Sequence, residues 1–174
     1  VAIEVLEVIA ENNRKGEPTV MVVPYGPLGP YFRLSYLVNK HRISLKNCVF
    51  INMDEYLKDE KTYVDMDDAL SFRGGMNRIF YDIVDEELNV LPENRIFPDP
   101  EKPEEVMENI MAVTAHLREK IAANGGNPQK ETLTFLTTKE GLPYYKTAEG
   151  DGYVAFFKTS HQYGNSEYAL AVNA

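Results

Sequence analysis

The sequence predicts an α/β fold: a Rossmann-like parallel sheet with flanking helices, followed by a β-rich C-terminal segment. Three observations carry that expectation. The apolar runs Thr19-Val20-Met21-Val22-Val23 and Cys48-Val49-Phe50-Ile51 are continuous rather than alternating, as in strands covered on both faces. Amphipathic helical stretches precede and separate them, giving helix–strand–loop–helix–strand, the pattern of a parallel sheet with right-handed crossovers. After residue 127 the chain changes to β-prone runs divided by Gly, Asp and Asn turns.

Each element has its own signal. Residues 1–13 place Val1, Val5, Leu6, Val8 and Ile9 on one broad face with Glu4, Glu7 and Glu11 elsewhere, a helix closed by Gly16 and Pro18. The first strand, 19–23, runs into the turn-rich loop Pro24-Tyr25-Gly26-Pro27-Leu28-Gly29-Pro30. Tyr31, Leu34, Leu37 and Val38 recur at helical spacing and predict a second helix that fades near His41. The second strand is expected over 48–53. The acidic stretch 58–68 has no apolar stripe and reads as a surface loop. Ser71-Phe72-Arg73-Gly74-Gly75 opens a helix through Met76, Ile79, Phe80 and Ile83, and the proline-fenced residues 92–98 hold one short extended segment. Pro103 suits a first helical turn, and Val106, Ile110, Val113, Leu117 and Ile121 predict one helix over 103–123, ended by Asn124-Gly125-Gly126. In the tail, 132–136, 153–157 and 168–172 are the β-prone runs. A division near 125–130 then separates a partial α/β domain, 1–126, from a β-rich tail, 127–174.

Composition bounds the partners. The 174 residues suffice for one domain with a sizeable core. A formal net charge of −9 argues against nucleic acid and against an anionic membrane surface, since nothing would neutralise their phosphates. It leaves room for a small phosphorylated ligand, which needs only a local cradle. The single Cys48 inside an apolar run reads as a core residue and favours a reducing, cytoplasmic setting. No apolar run reaches membrane-spanning length and no signal-peptide pattern opens the chain. Self-association into a homo-oligomer is left open.

Chemistry is expected where the second strand ends. In open α/β sheets, ligands gather beyond the carboxyl ends of strands, and there the chain reads Asn52-Met53-Asp54-Glu55-Tyr56. The plainer reading of Asp54 and Glu55 is a pair of solvated loop acids. The loop with Gly26 and Gly29 would offer N–H groups to an anion, although Pro24, Pro27 and Pro30 remove three donors; a tight connecting turn is the plainer alternative. No His/Cys/carboxylate cluster has metal-ligand spacing, and Gly26-Pro27-Leu28-Gly29 is not a dinucleotide fingerprint, so neither metal nor cofactor is expected. No G-x-S-x-G elbow supports hydrolysis through a serine. His41 and His116 read as surface or packing residues. His161 lies in a loop between β-prone runs. The tail aromatics (Tyr144, Tyr145, Tyr153, Phe156, Phe157, Tyr163, Tyr168) read as core and cross-strand pairs, with a sugar-stacking face as the alternative.

Phe50-Ile51-Asn52-Met53-Asp54-Glu55-Tyr56 resembles the NMDEY signature of the glucosamine-6-phosphate deaminase/isomerase family. Ile43-Ser44-Leu45-Lys46-Asn47 resembles the segment leading into that strand. Ser71-Phe72 with Met76-Asn77-Arg78-Ile79-Phe80-Tyr81-Asp82 resembles a family helix with Arg73-Gly74-Gly75 inserted, and Pro92-Glu93-Asn94-Arg95-Ile96 resembles the segment after it. The resemblance covers residues 1–125, in the family's order. It implies a sugar-phosphate isomerase/deaminase type of fold and a role in carbohydrate metabolism. The implied reaction converts an aldose amino-sugar phosphate to a ketose phosphate plus ammonia. It implies Asp54 as the base that moves a proton from C2 to C1, with Glu55 beside it as the second candidate catalytic acid. Gly26, Gly29, Tyr56 and Arg73 are then the candidate substrate-binding residues.

The sequence departs from the family's pattern twice. The sugar-phosphate loop lacks the Ser-Thr pair, and nothing from Asn127 to Ala174 resembles the family's histidine motif. Beside the enzyme reading therefore stand a non-catalytic sugar-phosphate-binding or regulatory domain and an inactive fragment of the enzyme.

Overall fold

The computed structural model describes residues 1–59 and 62–125, apart from the side chains of 117, 118 and 121. It also describes the backbone of 133–137, 146–147, 150–151 and 153–159. Helix α1 (Ala2–Lys15) ends at Gly16, whose φ of 70° is the left-handed closure that glycine adopts without strain. Strand β1 (Thr19–Val23) follows, then helix α2 (Gly29–His41), which buries Tyr31, Leu34, Leu37 and Val38. Strand β2 (Cys48–Asn52) lies parallel to β1, in register from Thr19↔Cys48 to Val23↔Asn52. Strand β4 (Arg95–Ile96) joins its other edge, so the order is β1-β2-β4.

Each face of this parallel sheet is covered, which is why its strands read as continuous apolar runs. Leu6 and Ile9 of α1, the inner side of α2, and Met76, Ile79 and Phe80 pack over Val23, Cys48 and Phe50. On the opposite face Val20, Val22, Val49, Ile51 and Ile96 pack against Ile110, Val106 and Met107 of helix α4 (Pro103–Val113). The described core is thus a small α/β sandwich around a parallel sheet.

The apolar face of α1 is narrower than its sequence indicates. Val1 and Val8 are exposed and line an open groove of about 560 Å³ between α1 and the 24–30 loop, floored by Met21, Val23 and Phe50. The expected 103–123 helix is divided at Thr114 into α4 and α5 (Ala115–Ala123). Thr114 leaves helical geometry at φ −98°, ψ 1°, and its hydroxyl donates to Ile110 O at 2.6 Å, the back-bonding by which threonine bends helices. The helix from residue 71 is also short. It is α3 (Phe72–Met76) continued by a π-turn over Asn77–Tyr81, after which Ile83 lies exposed in a turn.

The largest departure concerns the acids. The strand expected over 48–53 stops at Asn52, and after Met53 a new strand, β3 (Asp54–Leu57), begins. Asp54 and Glu55 are strand residues, not loop residues. Strand β3 pairs antiparallel with β8 (Tyr153–Thr159), which pairs with β5 (Leu133–Thr137); β6 (Lys146–Thr147) and β7 (Gly150–Asp151) form a separate ladder. Residues 62–64 return along β3, with Lys58 N–H on Thr62 O at 2.8 Å and Val64 N–H on Tyr56 O at 3.2 Å. Val64 is buried, so the stretch 58–68 is not wholly a solvated loop. The β-prone run 168–172, His161 and the tail aromatic side chains lie outside the described residues. Among the described residues, no helix is long and apolar enough to cross a membrane.

Candidate functional site

Strands β1 and β2 end level with one another, and Met53 N–H extends the pairing by one bond to Val23 O at 2.9 Å. Beyond that point β1 gives way to the 24–28 turn and β2 to β3, so the turn and Asp54 share the carboxyl end of the sheet. Alternation along β3 turns Glu55 and Leu57 inward and leaves Asp54 and Tyr56 together on the partly exposed face. The Tyr56 ring meets Phe72 at 4.8 Å, and Phe72 stacks on Tyr25 at 4.7 Å with the planes 20° apart. These separations suit favourable aromatic pairs. An aromatic wall built from three elements therefore stands beside Asp54. Burial raises the Tyr56 hydroxyl above its ordinary pKa, and the nearby Asp54 carboxylate raises it further.

Glu55, adjacent in sequence, has a different environment. It is fully buried. Its Oε1 accepts the N–H of Tyr56 and of Phe72, both at 2.8 Å. Its Oε2 accepts the N–H of Arg73 at 2.8 Å, Arg73 Nε at 3.2 Å and the Ser71 hydroxyl at 3.4 Å. A carboxylate offers about four lone-pair sites, and five donors fill them. Arg73 is drawn into the same cluster. Its Nη2 donates to Val64 O at 3.0 Å, and its guanidinium lies 3.9 Å from the Tyr63 ring centre. Charge partner, carbonyl and ring all face it inward.

The 24–30 loop is exposed and lightly built. Pro24, Pro27 and Pro30 have no N–H, and the Tyr31 and Phe32 amides are used on Leu28 O at 3.0 and 3.4 Å. The Tyr31 hydroxyl donates to Pro24 O. No side chain caps α2, which begins at Gly29. A Cβ at Gly26 or Gly29 would touch nothing within 4 Å, so the space above both is open. The groove reaching under the loop is walled mainly by apolar side chains, with Glu4 and Thr19 also lining it.

The described histidines lie elsewhere. Helix α2 starts at the loop and ends at His41, about 18 Å away along a 13-residue helix. His116 on α5 senses Lys120 and Glu17, and Glu17 precedes β1, at the opposite end of the sheet from Asp54. Its Nε2 is buried without a partner among the described residues, and burial lowers its pKa, with Lys120 lowering it further. Among the described residues, no group of three His, Cys, Asp or Glu could hold a metal ion.

Three residues of the site escape sequence reasoning: Tyr25, Phe72 and Ser71. Only Ser71 carried a local signal, an N-cap serine whose hydroxyl accepts Gly74 N–H at 3.0 Å. The two rings meet Tyr56 only through tertiary packing.

A scan of family models and a search of curated proteins find no match to this chain. Among solved structures, it is similar to one described as a monomeric glucosamine-6-phosphate deaminase, a "missing link of the NagB superfamily". That similarity has 15% identity and a TM-score of 0.46, over 90% of this chain and 73% of the other.

Proposed function

We propose that this chain is a sugar-phosphate isomerase/deaminase-like protein acting on an amino-sugar phosphate, with Asp54 as general base. The observation that carries the reading is the position of Asp54. It occupies the NMDEY-like string at the carboxyl exit of the parallel sheet, on the partly exposed face of β3 that also carries Tyr56 of the aromatic wall, at the same end of the sheet as the 24–28 turn. A carboxylate so mounted suits proton transfer next to a carbonyl or imine carbon. In this reading Asp54 takes the C2 proton of the open-chain substrate, leaving an enolamine. The proton returns at C1, and water adds to the resulting C2 iminium to release ammonia and the ketose phosphate. Tyr56 borders the sugar, and the amides at Gly26 and Gly29 face the phosphate. Arg73 acts through its grip on Glu55 and on residues 63–64.

A second reading, a non-catalytic sugar-phosphate-binding domain, is favoured by one specific observation. The two described histidines stand at the far end of the sheet from Asp54, where neither serves the sugar ring. One experiment separates the two. Ammonia release from glucosamine-6-phosphate is measured for the wild type and for Asp54→Asn, beside a melt with and without the sugar phosphate. Release that falls about 100-fold or more in Asp54→Asn supports the enzyme. A ligand-induced rise in melting temperature with no ammonia from either protein supports the binding domain. Equal release from both overturns Asp54 as base.

A further inference from the structure

Glu55 stands next to the proposed base but points away from it, and five donors from three successive residues and its own strand converge on its carboxylate. We propose that Glu55 is a positioning residue, whose carboxylate locks β3 to the first turn of α3 and thereby sets the Tyr25–Phe72–Tyr56 stack against Asp54. The catalytic consequence rests on the reading of Asp54 as base; the lock itself rests on geometry alone.

The connection is direct. Phe72 supplies both an amide held by Glu55 Oε1 and the ring that lies between Tyr25 and Tyr56. Where that amide is fixed, the ring is fixed. Tyr56 has its own N–H on the same oxygen, so one atom holds two of the three rings in register with the strand that carries Asp54. Arg73 extends the lock to the returning residues 63–64 through Val64 O and the Tyr63 ring.

The Arg73-Gly74-Gly75 insertion is accounted for by the same contacts. Arg73 is the charge partner. A Cβ at Gly74 would lie 1.8 Å from Met66 O, and one at Gly75 would lie 2.3 Å from the Tyr25 ring. At Gly74 the backbone oxygen leaves no room for a side chain, while at Gly75 a side chain would have to displace the Tyr25 ring. A carboxylate is needed at residue 55 because every contact is a donor. A glutamine would turn an NH2 group against the backbone N–H groups that the carboxylate now accepts.

The test uses the full chain, by NMR. In Glu55→Gln the amides of Phe72 and Arg73 should lose at least about tenfold of their exchange protection. The cross-peaks joining the Phe72 ring to Tyr25 and Tyr56 should vanish. The core contact between Phe50 and Phe80, whose ring centres are 5.6 Å apart, should persist. Glu55→Asp should restore part of the protection. If Glu55→Gln does not fold, Arg73→Met decides: it keeps the Phe72 amide bond but should free the Tyr63 ring. Retained Phe72 contacts in Glu55→Gln, or an unmoved Tyr63 in Arg73→Met, would overturn the lock.

With glucosamine-6-phosphate as probe, Glu55→Gln should lower kcat by about 100-fold while KM moves less than about threefold, as for a misplaced catalytic group. Lost ring contacts with unchanged kcat would overturn the positioning role. Should wild type and Asp54→Asn release equal ammonia, the reading of Asp54 fails, and the exchange and ring-contact measurements still decide the lock.

Discussion

Two groups in the core show how far burial moves an ionisable side chain here. Cys48 lies in β2 under α2, and burial alone pushes its thiol up to about 12. Tyr81 is raised by burial too, a rise reduced by the Asn52 amide and by Arg95, whose guanidinium lies 4.4 Å from its ring centre. A neutral, inaccessible thiol is a poor nucleophile. The single cysteine should therefore ignore a thiol reagent in the native protein and react with one equivalent in denaturant, which a colorimetric titration reads. Fast native reaction would mean that β2 is not covered as described. The same scale explains why sequence reading placed Asp54 and Glu55 together. Adjacent residues of one type carry the same local signal, and only strand alternation sends one to the site and the other into the protein.

Among the elements, the α3 turn shows most clearly what tertiary approach demands. Gly74 has ordinary backbone angles, yet a methyl group there would collide with a backbone oxygen, which has no rotamer to escape into. Gly26, in the loop, faces open space. Gly74→Ala should therefore cost about 2–3 kcal/mol through overpacking, while Gly26→Ala should stay within about 0.5 kcal/mol. Urea unfolding of the two variants makes the comparison, and equal costs would contradict the close approach of residues 66 and 74. Element boundaries were legible where they rest on local chemistry: Gly16 closing α1, Pro103 opening α4 and the start of α3 at residues 71–72, although the capping role of Ser71 was not read. The break at Thr114 was not, because the apolar stripe continues across it and the deciding bond is one hydroxyl turned back on the helix.

At the scale of the molecule, a chain this acidic should respond to pH through the groups that join α5 to the start of the sheet. The Lys120 ammonium, 2.8 Å from Glu17, lowers the pKa of that carboxylate, and His116 is lowered mainly by burial and then by Lys120. Both folded values lie below the unfolded ones. Each contribution is therefore complete above the unfolded pKa and is lost as pH falls through the folded one. The melting temperature should fall below about pH 6.5 for the histidine, with a smaller further loss below about 4.5 from the solvent-exposed Glu17 pair. His116→Gln should flatten the loss below pH 6.5 and Lys120→Ala should reduce both losses, in melts followed by circular dichroism between pH 7.5 and 3.5. Curves parallel to the wild type would remove both groups from the account.

The sequence by itself determined the local architecture: two buried parallel strands, the helices that cover them, and an acid pair at the sheet's carboxyl end. Those features follow from apolar periodicity and turn chemistry, which act over a few residues and can be read in order. Only the tertiary structure decided which acid faces outward, that β3 leaves the parallel sheet for an antiparallel partner, and that Arg73 turns to Glu55. It also decided that Tyr25, Phe72 and Tyr56 meet at all. These depend on contacts between residues 16 to 102 positions apart, such as Glu55 with Ser71 and Asp54 with Phe156, and no local pattern encodes a separation of that kind.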